Sequence, residues 1–556
     1  RRTLLVTNNL TLKTAIRTAL MGSVLVAGSQ TAFADGIPPH EMSANEKKPN
    51  IVLMMADNLG YGDLGVYGGG ESRGMPTPNI DKLASEGLRF GQFLVEPGCT
   101  PSRAATMIGR YSIRAGLSSV IMQGTPNTLQ KEEVTMAEML KQVGYNTAVY
   151  GKWHLGFEKK SQPQNQGFDE FYGIAGSTGE ITYTSSMREH GITPDNYNAI
   201  PCIYEVRPVI RKPRKEVKCG DDPKRKTLLS RMRKVKAYND ETRRTIDVEI
   251  ADKSINYINE QQTEGKPFFL FISWTRPHFP NYTSKAFEGS SRIGLYGDSV
   301  MELDHNTGRV LKAIKDNGIE DNTIVIWMSD NGPMRSVVWP DSGFQGPFRG
   351  ELGDPFEGSI RTAGMIKWPG KIQPGVTYGM FSCMDFFPTL ANFAGVDIPP
   401  NFADTDIPPN VRPIDGIDQA DFLLNHDGEE KVESKRDHLL TFQGDEMMAV
   451  RWKQFRLYFT DILPQEGLTT LGGGASRSTP TLGQIIYNIE QDPREENNVA
   501  LRTAWIIPFV QEHIAGYLKS LKDHPNPPAV HISNLQEYIK ECSKNPELPA
   551  CQPTPK

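Results

Sequence analysis

Four short apolar runs do most to limit what this chain can fold into. Ile51–Ala56, Thr147–Tyr150, Phe268–Trp274 and Thr323–Met328 are of strand length, and each gives way to polar or turn-forming residues. Helical spacing recurs between them, at Met136–Gln142, Thr245–Asn256 and Asp298–Asn317. Continuous apolar strands separated by helices pack as a parallel sheet covered on both faces. The expected fold is therefore α/β, a large mixed, mostly parallel sheet sandwiched by helices. In such sheets ligands bind beyond the carboxyl ends of the strands. The residues that follow the four runs are where chemistry is expected.

The pattern changes after a Pro-rich, Asp-containing stretch near 395–412, where Ile398–Pro400 is echoed by Ile407–Pro409. Beyond it Met447–Thr460 and Gln484–Glu490 read as antiparallel strands and Arg502–Leu521 as a helix, with a Gly-rich loop at Leu471–Ser476. We expect a main domain over 35–400 and a smaller α+β C-terminal domain over 401–556 that carries an antiparallel sheet. No internal repeat is evident. From Arg207 to Lys236 there are 13 Lys or Arg residues, with no aromatic residue interleaved before Tyr238. Such runs are usually solvated, and this one reads as a solvated insertion rather than a nucleic-acid patch.

Residues 1–34 have the features of a secretory signal peptide. Lys13 and Arg17 precede a weakly apolar stretch from Thr18 to Gly28, and Ala32, Phe33 and Ala34 offer a small-x-small cleavage site. Export to a periplasmic or extracellular compartment is the expectation. Removing this segment takes away four basic and no acidic residues and moves the formal charge from −5 to −9. A net acidic chain has no general attraction for nucleic acid, so an anionic substrate needs locally placed cations. A mean hydropathy of −0.44, with no long apolar run after the N-terminus, argues against a membrane span. The six cysteines fit export: Cys202 with Cys219, and Cys542 with Cys551, are spaced for short-loop disulfides. Cys383, in a Phe-rich segment, reads as a small buried residue. Cys99 remains.

Two strand ends resemble each other. Ile51–Ala56 leads to Asp57 and Asn58, and Thr323–Met328 leads through Ser329 to Asp330 and Asn331. Asp and Asn commonly begin turns. Two Asp-Asn pairs converging from two strands also make half the oxygen shell that a hard cation such as calcium wants. After the second run come Lys152, Trp153 and His154; in extended backbone Lys152 and His154 share a face while Trp153 packs opposite. A cation beside an imidazole suits an anionic ester. His278 lies between Pro277 and Pro280, which restrict the backbone and can hold an imidazole for proton transfer. Cys99 directly precedes a helical run from Ala104, so it sits where a positive helix terminus acts on an anion. By its residues alone Cys99 is a thiolate nucleophile, half of a disulfide or an inert thiol.

Cys99-Thr-Pro-Ser-Arg103 with the trailing Ala-Ala-Thr-Met-Ile-Gly-Arg resembles the sulfatase signature C-x-P-S-R. The resemblance extends to Asp57–Asp63, Thr77–Gly87, Gly144–Gly156, Ser329–Pro333 and Tyr487–Ala500, in family order and across most of the chain. It implies an alkaline-phosphatase-like fold and a sulfuric ester hydrolase acting on a sulfated small molecule or sulfated glycan. It also implies that a formylglycine-generating enzyme oxidises Cys99 to formylglycine, whose hydrate attacks sulfur and later expels sulfate. By the same resemblance Asp57, Asn58, Asp330, Asn331 and the modified Cys99 surround one calcium ion. Arg103 and His154 hold the hydrate, Lys152 holds the sulfate oxygens and His278 serves the leaving-group oxygen.

The chain departs from the family pattern twice. Asn58 stands where many sulfatases have a second Asp, and Leu352 stands where many have a sulfate-binding Lys before the E-G-G-x-R motif, here Glu357–Arg361. We expect Arg349 or another nearby cation to substitute for that Lys. The alternatives considered are a phosphodiesterase or phosphonate monoester hydrolase of the same superfamily, and a non-catalytic binder of sulfated glycans.

Overall fold

The fold is described from a computed structural model. The structure describes residues 47–122, 127–182, 201–207, 232–335, 342–397, 399–402, 412–426, 432–463, 476–478, 484–527 and 543. The signal-peptide segment, most of the basic stretch and the partner cysteines Cys219, Cys542 and Cys551 lie outside the described residues.

Ten strands form the main sheet among the described residues. They are β1 (Asn50–Ala56), β2 (Leu88–Phe90), β3 (Asn146–Lys152), β4 (Glu170–Ile174) and β5 (Cys202–Val206). The others are β6 (Arg233–Ala237), β7 (Phe268–Ser273), β8 (Thr323–Ser329), β9 (Gly364–Lys367) and β10 (Gly375–Thr377). Their order across the sheet is β10-β2-β9-β8-β1-β7-β3-β4-β5-β6. The five central strands, β8, β1, β7, β3 and β4, are mutually parallel. Antiparallel pairings appear on both flanks, β9 on β8 and β5 on β4. The four apolar runs are thus the middle of a mostly parallel sheet, and all five central strands end on one edge.

The period-two geometry of strands divides the core. Ile51, Leu53 and Met55 of β1 point into one apolar layer, and Val52, Met54 and Ala56 into the other. The second layer is closed by helices α1 (Pro78–Glu86), α3 (Asp240–Glu264) and α4 (Leu295–Asp316), through residues such as Ile80, Ile250 and Leu303. The first is closed by α2 (Cys99–Ile108) and α5 (Phe386–Ala394), through residues such as Ala104, Met107, Leu390 and Phe393. Cys383 is fully buried in that layer. No helix among the described residues is long and apolar enough to cross a membrane.

The C-terminal region carries a four-stranded antiparallel sheet, β11 (His438–Gln443), β12 (Glu446–Trp452), β13 (Phe455–Tyr458) and β14 (Ile485–Asn488). Helix α6 (Ile507–Asp523) packs on it. The sequence spacing places that helix from Arg502, but Pro508 fits only in a first turn, so the continuous helix begins at Ile507 after two short turns. Leu440, Phe442, Val450 and Leu457 belong to the same apolar layer as α2 and α5.

A buried ionic network ties this sheet to the short helix Glu357–Ile360 and the strand Arg361–Thr362 that follows it. Glu357 accepts from Arg451, from Arg456 at 2.9 Å and from Arg361 at 3.5 Å, and Glu357, Arg451 and Arg456 are fully buried. At the opposite edge of the main sheet β5 and β6 pair as a hairpin that flanks the basic stretch. Of its cations, Arg207 and Arg233 pair with Glu205, and Lys236 pairs with Glu249.

Candidate active site

The carboxyl ends of four of the five parallel strands, β1, β3, β7 and β8, lead to the side chains that the sequence pattern singles out. β1 runs straight into Asp57 and then Asn58, whose backbone turns left-handed at φ 63°. Asn is among the few non-glycine residues that take this conformation readily, and the turn takes the chain off the sheet edge. β8 delivers Asp330 and Asn331 beside them, and Asn58 N–H donates to Asp330 Oδ1 at 3.0 Å. β3 ends at Lys152, and His154 again turns left-handed at φ 57°. Neighbouring strands close up at this edge. A Cβ on Gly151 would lie 1.7 Å from Ser273 O, and one on Gly173 1.8 Å from Gly151 O, so both positions exclude a side chain.

Helix α2 brings the cysteine. Gly98 is its extended N-cap, and Pro101 sits in the first turn, where no intrahelical N–H is needed. Cys99 therefore occupies the first helical position, at the positive end of the helix dipole. Its thiol donates toward Asp57 Oδ1 at 3.5 Å and Asn58 Oδ1 at 3.3 Å. Burial pushes the thiol well above its ordinary pKa, and the charges of Asp57 and Asp330 add to this against the opposing pull of Lys152 and Arg103. As a plain thiol, Cys99 is a poor nucleophile.

Four buried charges surround it. Lys152 Nζ donates to both oxygens of Asp57, at 3.1 and 3.0 Å. Arg103 forks onto Asp330 Oδ2 through Nε at 3.1 Å and Nη2 at 2.8 Å, while its Nη1 donates to Lys152 O at 3.0 Å and to Ser273 Oγ. The two carboxyls behave differently. Burial raises both, but Lys152, His278 and Arg103 outweigh it at Asp57 and hold that group below the usual range. Asp330, raised by burial and by the neighbouring Asp57 charge, reaches about 6. Asn331 Nδ2 donates to Asn58 Oδ1 at 2.8 Å. Asn331 Oδ1 is left as a buried acceptor with no hydrogen-bond partner among the described residues.

The two histidines lie at the margin of this network. The ring of His278 donates to Phe279 O, so Nδ1 carries the proton and Nε2 accepts from Ser177 Oγ at 3.5 Å. Ligand atoms of His278, Asp57 and Cys99 all fall within 4.8 Å of one another. Burial, helped by Lys152 and Arg243 against Asp57, lowers His278 to about 4, so the imidazole is neutral at neutral pH. His154 donates from Nε2 to Ile121 O at 2.8 Å, and its Nδ1 is a buried acceptor with no partner among the described residues. Burial and the nearby Lys152 and Arg103 charges depress it strongly.

All nine expected site residues are buried, and seven of them, Asp57, Asn58, Cys99, Arg103, Lys152, Asp330 and Asn331, form one bonded network. Arg349 does not take the part expected of it. Its guanidinium donates to Glu495 O at 3.1 Å and lies 3.9 Å from the Phe356 ring, while Leu352 is buried beside Pro97 and Gly98 in an apolar pocket next to the cysteine loop. The sequence reading missed Thr178, whose hydroxyl donates to Asp57 Oδ2 at 3.0 Å, and Ser273, which bridges Arg103 and Lys152 O. Ser273 carried a usable signal as the polar residue near the end of an apolar run. Thr178 carried none, because it lies in a short 3-10 turn, Thr178–Glu180, beyond the end of β4. Behind His278, Arg243 of α3 donates to Thr275 Oγ1 at 2.8 Å and to His278 O at 2.9 Å.

Similarity to known proteins agrees with this geometry. Residues 49–396 match the Sulfatase family model, and residues 434–553 match that for the C-terminal region of aryl-sulfatase. Arylsulfatase A of Bos taurus is 33% identical over 469 residues, covering 81% of this chain and 83% of that one. N-acetylgalactosamine-6-sulfatase of Canis lupus familiaris is 31% identical over 502 residues, covering 84% and 85%. The crystal structure of PsFucS1 sulfatase from Pseudoalteromonas sp. superposes with a TM-score of 0.74 at 30% identity, covering 86% of this chain and 92% of that one. The ordered motifs, the mostly parallel sheet with its chemistry on one edge, and these matches together establish that the chain belongs to the sulfatase family and is a sulfuric ester hydrolase.

Proposed function

We propose that the chain hydrolyses sulfate esters with a formylglycine made from Cys99 and one calcium ion held by Asp57, Asn58, Asp330, Asn331 and the modified Cys99. The observation that carries this reading is the position of Cys99 Sγ, 3.5 Å from Asp57 Oδ1 and 3.3 Å from Asn58 Oδ1 in a buried set of two carboxylates and two cations. The oxygen donors fit a hard cation in kind: two buried carboxylates, the Asn58 side-chain oxygen and the buried, unpartnered Asn331 Oδ1. When present, the formylglycine hydrate supplies the oxygen nucleophile and calcium supplies positive charge opposite the ester oxygens. The raised pKa of the bare thiol supports conversion of Cys99 rather than thiolate chemistry.

The remaining work falls to the chain's own groups. Lys152 holds negative charge as it spreads over the sulfate oxygens, and Arg103 holds the hydrate, in a site that burial keeps at low dielectric. Arg103 is positioned by its fork on Asp330, and Lys152 by Asp57. His154 orients the nucleophilic oxygen through its unpartnered Nδ1. His278, whose tautomer is fixed by Phe279 O, serves the leaving-group oxygen through Nε2, which takes up a proton from solvent before passing it to that oxygen. The substrate is a sulfated small molecule or sulfated glycan, and maturation requires a formylglycine-generating enzyme. We further assign residues 1–34 as an export signal, 35–400 as the catalytic domain and 401–556 as the C-terminal domain. The cleavage triplet Ala32-Phe33-Ala34 and the antiparallel sheet of the C-terminal region support this division.

The deciding experiment is the mass of the tryptic peptide Phe90–Arg103 from active protein. An aldehyde in place of the thiol is expected, and an unmodified thiol in fully active enzyme would overturn the mechanism. Competition between an aryl sulfate and an aryl phosphodiester separates the sulfatase reading from a phosphodiesterase or phosphonate monoester hydrolase. Turnover of either substrate excludes a purely glycan-binding role.

A further inference from the structure

Far from the cysteine in sequence, α6 lies on the C-terminal sheet through three ring pairs, two of them stacked and one tilted. Phe509, His513 and Tyr517 are spaced four apart and so share one face of the helix. Trp452 stacks on Phe509 with centroids 4.8 Å apart and planes 7° from parallel, and Phe442 lies 5.1 Å from Tyr517. The middle pair is different in kind. His438, directly across from Trp452 on the neighbouring strand, stacks on His513 at 3.7 Å and 17°. Asp437 reaches both rings, with Oδ1 2.8 Å from His438 Nδ1 and Oδ2 3.8 Å from His513 Nε2.

We propose that His438, His513 and Asp437 form a binding site for a borderline divalent transition metal of the zinc class, separate from the catalytic centre. One ligand atom from each residue falls within 4.8 Å of the others. Around a tetrahedral ion with metal–ligand bonds of about 2.1 Å, ligand atoms lie about 3.4 Å apart, so modest side-chain rotation brings all three together. The donor set is selective, because two imidazoles and one carboxylate suit zinc, nickel or copper rather than calcium or magnesium. Location also fits. The three side chains are 26%, 20% and 46% exposed for His438, His513 and Asp437, which leaves a path for an ion and room for water as a fourth ligand. A hydrocarbon ring would fill the middle of the stack without burying ring nitrogens; two imidazoles sharing one carboxylate add a chelating function that packing does not require. Burial and then His438 lower the pKa of His513 to about 4, which keeps its lone pair available at neutral pH. Lys453 N–H holds Asp437 O at 2.8 Å, and the Lys453 ammonium lies over the Trp452 ring, 5.4 Å from its centroid. An ion here would pin α6 to the first strand of the sheet.

The test uses full-length, untagged protein with saturating calcium and measures zinc uptake by equilibrium dialysis and calorimetry. Wild type is expected to take up one more equivalent than His438→Ala or His513→Ala, or to bind it at least about tenfold more tightly. Cobalt(II) added alone should give a visible absorption band in wild type that both variants lack, and zinc should raise the melting temperature of wild type only. Turnover of an aryl sulfate should be the same in all three proteins, since none of these residues lies in the catalytic network. If an alanine variant fails to fold, Asp437→Asn, at the most exposed of the three positions, replaces it. Equal zinc stoichiometry and affinity in wild type and a folded variant would overturn the proposal.

Discussion

Glu357 offers the sharpest quantitative test of how the C-terminal sheet is held to the rest of the fold. Its carboxylate is fully buried between Arg451 and Arg456, with Arg361 at 3.5 Å, and those guanidiniums have no solvent to replace it. Glu357→Gln keeps the shape and one acceptor but removes the charge, leaving buried cations uncompensated. Breaking such a pair from one side costs about 3–5 kcal/mol. With unfolding entropy near 2.1 cal/mol/K per residue, a cooperative chain of 556 residues has about 1.2 kcal/mol/K, so the melting temperature should fall by about 3–4 °C. Calorimetry at neutral pH reads this directly. Arg456→Gln in the same chain should cost much less than its single effect, because the charge it would orphan is already gone. Burial raises the Glu357 pKa, but Arg451, Arg456 and Arg361 outweigh burial and lower it below 4.5. Its stabilisation is therefore complete above 4.5 and is lost as the pH falls through the lower folded value. The gap between wild type and variant should close in acid. A variant melting within a degree of wild type at pH 7, or strictly additive single and double variants, would refute the account.

Other consequences are more local. Arg103→Lys keeps the charge but loses the fork on Asp330 and the bond to Lys152 O, and we expect turnover of an aryl sulfate to fall about 10²–10³-fold with the fold intact by circular dichroism. Chelation of calcium should abolish turnover and lower the melting temperature, and re-addition of calcium should restore both; Asp330→Asn should raise the calcium concentration needed. Glu96, buried and bonded to Ser112 N–H at 2.8 Å, is raised to about 7 chiefly by burial. The folded state thus holds a proton that the unfolded state has lost, so stability should decline by about 3 kcal/mol between pH 4.5 and 7, and Glu96→Gln should flatten that slope in denaturant titrations. Gly151→Ala places a methyl 1.7 Å from Ser273 O at a φ of 119°, and we expect no soluble protein on expression.

The central sheet and most of the site were legible in the sequence for one reason. Apolar runs that end abruptly in Asp-Asn, Lys-x-His or Ser mark both a buried parallel strand and the edge where it stops. Asp57, Asp330, Lys152 and His154 could be located that way without a structure. Features fixed by distant partners were not legible. Arg349 stands three residues before Leu352 yet turns to Glu495, 146 positions on, and onto Phe356. Thr178 reaches Asp57 across 121 positions from a short 3-10 turn, Thr178–Glu180, beyond the end of β4. The pairing of Glu357 with Arg451 and Arg456 likewise exists only once the C-terminal sheet meets the Glu357–Ile360 helix.

The charges beneath Cys99 have a consequence for how substrate arrives. Asp57, Asp330, Lys152 and Arg103 sum to zero, and each sign is neutralised within 3.1 Å by the other. A closed quartet of this kind has a field that dies away far faster than that of a lone charge, and salt screens what is left beyond about 10 Å. The chain as a whole is negative. These residues therefore do not steer an anionic ester from a distance. Without a bound cation these four residues add nothing to the encounter rate of an anionic ester, and the quartet acts only after the ester has displaced water from the pocket.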